Sequence, residues 1–186
     1  MSYSPVVLDS GVFAKIFLDE EDRDQTLALL AYIDQHGIVV RCPDIFLYEV
    51  LSIASQNGYP LQQAIDTVRD FERSYLTLSA LTSHQLDFAL RMAEEGHVKS
   101  GFPSIYDCAY HAMALSYQGV FITADKRHCA KAHQHSGIVL LEQWQDAFEA
   151  TTNDLDQALI DGEQSGEPRS FDPEAFLARM HKKHVR

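Results

Sequence analysis

Short apolar runs alternate with longer amphipathic stretches along the first three quarters of this chain, and few folds accommodate that order. Val6-Val7-Leu8, Ile38-Val39-Val40, Tyr75–Leu81, Val120-Phe121-Ile122 and Ile138–Leu141 read as strands. Between them lie segments with helical periodicity: Val12–Leu18, Gln25–Gln35 with Leu27, Leu30 and Ile33 on one face, Pro43 to Gln56, Pro60 to Arg73, Thr82 to Lys99, Ile105–Tyr117, Lys126–Gln134 and Glu142–Ala150. Gly37, Asn57-Gly58 and Gly119 supply stops, and Thr82 is an expected N-cap. Strands separated by helices predict an α/β fold with a parallel sheet covered on both faces. In open sheets of this kind, sites form beyond the carboxyl ends of the strands.

The chain has 186 residues, of which 46% are apolar, enough for one globular domain with a core of its own. From Thr151 onward long apolar runs cease, and Gly162, Ser165, Gly166, Pro168, Ser170 and Pro173 interrupt the pattern. The expected division is therefore one globular domain over 1–150 and an arm over 151–186, with short helices at Asp154–Leu159 and Pro173–His181. Cys42, Cys108 and Cys129 are odd in number and form no close pair, which predicts reduced thiols. No apolar run approaches the roughly 20 residues that cross a bilayer, and the N-terminus lacks a basic leader, so a cytoplasmic protein without a membrane partner is expected. A net charge of −12 argues against an open basic groove for nucleic acid. It does not exclude nucleic-acid chemistry, because a divalent cation can bridge acidic side chains to a phosphate.

Four carboxylates fit that last possibility. Asp9 and Asp125 each follow a predicted strand, at the end where α/β sites form, and each could equally cap the helix that follows it. Asp107 sits in the first turn of an apolar helix, where the macrodipole also favours an acid. Glu49 stands inside Ile45-Phe46-Leu47-Tyr48-Glu49-Val50-Leu51, where a carboxylate is costly unless it is paired, metal-bound or at the rim.

The segments VVLDSGVFAKIFLDEE, PDIFLYEVLSIA, SIYDCAYHAMALSYQGVFITADKRHCAKA and GIVLLEQW resemble the successive blocks of PIN-domain proteins, above all VapC-type toxins of toxin–antitoxin pairs. The resemblance spans about residues 4–148. It implies a PIN-like three-layer α/β fold with about five short, mainly parallel strands. It also implies that Asp9, Glu49, Asp107 and Asp125 are a catalytic and metal-binding quartet, with Ser10 and Thr123 as supporting hydroxyls. The implied activity is Mg²⁺- or Mn²⁺-dependent hydrolysis of RNA, the implied partners are an RNA substrate and a cognate antitoxin, and a homodimer is expected. Lys126 and Arg127 are candidates for contact with the RNA backbone.

The tail carries a second resemblance. Leu159–Gly166 and Phe171–Met180 are similar to the C-terminal arm of ParD-type antitoxins. That implies an inhibitory segment fused to the toxin, with Phe171, Phe176 and Met180 docking in an apolar groove and Arg169 or Arg179 approaching the carboxylates. His111, His128, His133 and His135 with Cys129 lack the spacing of a structural zinc site.

Other α/β readings fit less well. A haloacid-dehalogenase-type phosphatase needs a second Asp where Gly11 stands, a phospho-receiver needs an acid pair before the strand-end Asp, and no Gly-x-Gly-x-x-Gly marks a dinucleotide fold. The rival from another class is a non-catalytic PIN-like module that only binds RNA or protein.

Overall fold

In a computed structural model of the chain, residues 5–96, 99, 101–145 and 148 are described. Five strands form one sheet: β1 (Val6–Leu8), β2 (Val40–Pro43), β3 (Leu76–Ser79), β4 (Val120–Thr123) and β5 (Ile138–Leu140). Their order across the sheet is β3-β2-β1-β4-β5, and every pairing is parallel. The chain thus winds outward from β1 to β3, then returns to lay β4 on the other side of β1. The switch point lies between β1 and β4.

Helices α1 (Ser10–Ala14), α2 (Arg23–His36), α3 (Ile45–Gln56), α4 (Leu61–Ser74), α5 (Ser83–Glu94), α6 (Ile105–Ser116) and α7 (Lys126–Lys131) connect the strands. The expected α/β architecture with a parallel sheet is what forms. β1 has no exposed face, and Val6, Val7 and Leu8 are all fully buried, as a central strand of a covered parallel sheet requires. Phe13 of α1 lies edge-on to Phe46 of α3 at 5.2 Å and to Phe71 of α4 at 4.9 Å, tying these helices together. Helix α6 packs along β1, β2 and β4. It joins α5 through a buried cluster of Ala89, Met92, Cys108 and Ala112, whose small residues allow close approach.

The structure corrects several boundaries. β2 is Val40–Pro43 rather than Ile38–Val40: Ile38 and Val39 are the approach from Gly37, which ends α2 at φ 61°. Pro43 therefore closes a strand instead of opening a helix; as the last strand residue its missing N–H costs no ladder bond. α1 starts at Ser10, earlier than expected, and gives way to a 3₁₀ turn at Lys15–Phe17. α5 stops at Glu94 and α7 at Lys131, both short of the periodic pattern. Thr82 caps α5 as expected, in a capping box with Gln85. The expected helix Glu142–Ala150 begins as a 3₁₀ turn at Leu141–Gln143, and its later part lies partly outside the described residues. The cysteines are free, with Cys42 and Cys108 buried. The boundary at 150, the arm 151–186 and the helices expected within it lie outside the described residues.

Gly119 works differently from an ordinary helix stop. The left-handed residue after α6 is Gln118, at φ 53°. At Gly119 a Cβ would stand 2.0 Å from the carbonyl oxygen of Pro5, which also accepts a hydrogen bond from Val120 N at 3.3 Å. Glycine is needed there because the backbones leading into β1 and β4 touch. Gly119→Ala should force these two strands apart at their start and lower the unfolding free energy by about 1–3 kcal/mol, read from urea denaturation.

Candidate functional site

Asp9 and Asp125 follow the two strands that flank the switch point. The parallel register pairs Leu8 with Ile122, and Asp9 N donates to Ile122 O at 3.0 Å. Asp9 therefore sits beside Thr123, whose hydroxyl donates to Asp9 Oδ2. Asp9 Oδ1 accepts from Gly11 N at 3.0 Å, so Asp9 is also the N-cap of α1. Asp125 likewise caps α7 by accepting from Arg127 N at 2.7 Å, and its own N–H donates to Thr123 Oγ at 3.0 Å. Capping does not by itself remove either acid from a candidate site, because each carboxylate oxygen carries two lone pairs and a cap uses one.

Glu49 lies one turn into α3, half-buried. Its Oε2 accepts from Ser10 Oγ at 3.0 Å and from Tyr110 Oη at 2.5 Å. Two hydroxyls from distant parts of the chain thus satisfy a carboxylate that looks unaccompanied in sequence. Asp107 lies in the first turn of α6, which starts above the carboxyl edge of the sheet because it carries the chain back toward the start of β4.

Electrostatics shows that the four acids share one region. Burial raises the Asp107 carboxyl from its ordinary 3.8 to about 7, and the charges of Asp9, Asp125 and Glu49 add to the rise, opposed only weakly by Lys131. The Asp9 carboxyl is also raised, by burial, with Asp125 contributing and the hydrogen bonds from Thr123 and Gly11 opposing. Among the described residues, no three His, Cys, Asp or Glu side chains are assembled as a ready-made metal-ligand set. The oxygens available are hard donors in a region of unneutralised negative charge, and that chemistry suits a cation that brings its own waters.

Two further residues belong to this region and were not singled out as site residues. Tyr110 anchors Glu49; its position three residues after Asp107 on the same helix was the available clue. Its phenol is pushed well above the usual range by burial and by Glu49, so it remains a donor. His128 is buried against Asp107, with its Nδ1 3.9 Å from Asp107 Oδ2. Its proton placement follows from its partners. His111 Nε2 lies 2.7 Å from Ser136 O and must donate, since a carbonyl only accepts. His111 Nδ1 is then an acceptor, so His128 Nε2 donates to it across 3.4 Å. His128 Nδ1 is left as a bare, unpartnered lone pair facing Asp107. Burial lowers the His128 pKa to about 4, with His111 adding to the fall. His128 is therefore neutral at pH 7 and does not offset the charge of Asp107.

The other expected residues divide. Ser10 donates to Glu49 and Thr123 to Asp9. Lys126 is exposed, but its ammonium pairs with Glu142 at 2.9 Å, beside a cleft of ≈ 530 Å³ lined also by Lys15, Glu20 and Leu141. Arg127 is exposed next to Asp125. The imidazoles of His111, His128 and His135 pack against one another at 5.5 and 6.2 Å, without forming a metal-ligand set among the described residues. Arg169, Arg179, Phe171, Phe176 and Met180 lie outside the described residues.

A carboxyl with a raised folded pKa binds more protons folded than unfolded between the two values. Its stabilising contribution is complete below about pH 4 and is lost as pH rises to about 7. In chelator, Asp107→Asn should therefore stabilise the chain at pH 8 by roughly 1–3 kcal/mol, allowing for the part of the side chain that water reaches. At pH 4 the gain should vanish; denaturant midpoints at the two pH values check the sign.

Comparison with known proteins bears on this arrangement. At the C-terminus the chain is similar to antitoxin ParD of Xylella fastidiosa strain 9a5c, with 47% identity over 49 residues; these are 26% of this chain and 56% of the antitoxin. The chain thus spans about half the length of the curated relative it matches. Among solved structures it is similar to VapC20 of Mycobacterium tuberculosis, a sarcin-ricin-loop-cleaving toxin, with 13% identity and a TM-score of 0.49 over 60% of this chain and 82% of that one. The sequence model of the PIN domain matches residues 6–134, a span that holds the whole switch point and all four acids, and on that match the chain belongs to the PIN-domain family.

Proposed function

We propose that this PIN-domain chain is a divalent-cation-dependent endoribonuclease, the toxin of a type II toxin–antitoxin pair, restrained by its own residues 151–186. The observation that carries the reading is Asp107, whose carboxyl is raised to about 7 in company with Asp9, Asp125 and Glu49. A cation would favour the ionised form of such a cluster.

The donor set fits Mg²⁺ or Mn²⁺. Mg²⁺ keeps several waters and takes one or two carboxylates, so a complete protein cage is not required. Asp9, Asp107 and Asp125 would hold the ion, with Glu49 facing the same region. A cation bound there supplies a water of lowered pKa and positive charge for the phosphoryl oxygens. The chain's own part is placement. Thr123 and Gly11 N fix the two oxygens of Asp9. Ser10 and Tyr110 fix Glu49 through one oxygen and leave the other to meet a proton or a water. Arg127, exposed beside Asp125, is the better placed of the two basic candidates to meet a backbone phosphate, since Lys126 is engaged by Glu142.

The ParD-like similarity supports the inhibitory arm. A guanidinium from Arg169 or Arg179 suits bidentate pairing with these carboxylates, and Phe171, Phe176 and Met180 are its apolar anchors. A tethered arm acts at an effective concentration around millimolar, so weak contacts suffice. A cognate antitoxin, homodimerisation and a cytoplasmic location complete this proposal.

The test is cleavage of a mixed RNA pool. Cleavage should require Mg²⁺ or Mn²⁺, stop in chelator, and fall by at least about a hundredfold in Asp9→Asn and Asp107→Asn. Removal of residues 151–186 should raise the rate. Cleavage that persists in both variants would remove the proposed site, and an unchanged rate on truncation would remove self-inhibition. A chain that binds RNA without cutting it under any of these conditions would be the non-catalytic module instead.

A further inference from the structure

One buried nitrogen beside the acids has no hydrogen-bond partner among the described residues. His128 is 1% exposed, and its Nδ1 is reached by no donor or acceptor. Buried polar atoms are nearly always paired, so an orphan of this kind needs a physical reason.

The neighbouring hydrogen bonds decide what that atom offers. His111 Nε2 lies 2.7 Å from Ser136 O, and His128 Nε2 lies 3.4 Å from His111 Nδ1. A carbonyl only accepts, so in two neutral rings both Nε2 atoms carry the protons. His128 Nδ1 is left with a lone pair. The rotation of the ring is fixed as well, because turning it over would break the bond to His111.

That lone pair faces a carboxylate. Asp107 Oδ2 stands 3.9 Å from His128 Nδ1. The gap is too long for a hydrogen bond, even from a protonated Asp107. It is within the span of two ligands on one ion: at about 2.1 Å each, they lie at most about 4.2 Å apart. Asp125 is three residues before His128, at the cap of the same helix. Asp107 and His128 are two donors rather than the three of a complete protein set, so an ion held between them completes its shell with water or a further carboxylate.

A nitrogen donor changes which ion is preferred. Mg²⁺ takes oxygen ligands. Neutral imidazole is a ligand for first-row transition ions, whose affinity for mixed nitrogen and oxygen sites rises from Mn²⁺ through Fe²⁺ and Co²⁺. We propose that His128, through Nδ1, is a metal ligand together with Asp107, and that this nitrogen–oxygen pair selects a first-row transition dication over Mg²⁺. This rests on the reading of the acids as a cation site, and adds to it a ligand from α7 and the class of ion. His111 is the positioning residue, since its Nδ1 holds the His128 ring in the tautomer that binds.

The test uses the full chain with Mn²⁺ as the probe. Pulsed EPR of the bound ion should show coupling to a ligating nitrogen. The coupling should change when the histidines are labelled with ¹⁵N and disappear in His128→Gln. Calorimetry should show Mn²⁺ binding weakened at least about tenfold in His128→Gln, with Mg²⁺ binding nearly unchanged. Damage to the fold would weaken both ions alike, so the ratio separates ligation from packing, and the parent spectrum decides the ligand without any variant. Bound Mn²⁺ with no histidine nitrogen coupling overturns the ligand and leaves the cation site standing. Equal weakening of the two ions overturns the selection. A parent chain that binds neither ion removes the cation reading, and this ligand with it.

Discussion

The parallel pairing of β1 with β4 decides where every other part of the site can stand. These strands come from positions more than a hundred residues apart, and their register puts Leu8 against Ile122. One residue further on, Asp9 meets Thr123, and two residues beyond that comes Asp125. A slip by one residue would turn Thr123 away from Asp9 and bury the wrong side chains. The pairing is protected by the tight contact of Gly119 with Pro5 at the opposite end of the same two strands. The alignment of Asp9 with Thr123 and Asp125 is therefore set by backbone packing at the opposite end of the two strands.

Around that fixed pair the helices bring acids from outside the sheet. α3 and α6 both expose their first turns at the carboxyl edge, and their early residues become neighbours of Asp9. Crowding like charges there has a cost, visible in the raised carboxyls of Asp107 and Asp9. The structure offsets part of it with hydroxyls: Ser10, Thr123 and Tyr110 all donate to carboxylate oxygens. It leaves the rest unmet. His128, buried 3.9 Å from Asp107, is kept neutral by burial, with His111 adding to the fall of its pKa. The fold thus keeps its acids close without neutralising them.

Much of this was legible in the sequence, and the limits have physical causes. β1 and β4 were visible because central strands of a covered sheet are apolar throughout. β2 was displaced by two residues because Arg41 and Pro43 disguise a strand, whereas Ile38 and Val39 imitate one. Asp9 and Asp125 stand out by position, but a strand-end acid that caps a helix looks the same in sequence whether or not it also faces other acids. The partners of Glu49 were hidden altogether. Ser10 is 39 residues away and Tyr110 is 61, and nothing local marks either as the answer to a buried acid. His128 was seen as part of a histidine-rich stretch, but its contact with Asp107 depends on how α7 settles against α6, which periodicity does not encode.

Asp9 has a consequence for how such a chain can change over time. Its carboxylate opens helix α1 by capping it, and an asparagine amide caps a helix about as well. The same holds for Asp125 at α7. A single-base change of the aspartate to asparagine kind can therefore remove charge from the centre of the site while the strand ends and helix starts keep their shape. A folded descendant with an amide at position 9 or 125 would keep the strand ends and helix starts while losing whatever depends on those two charges.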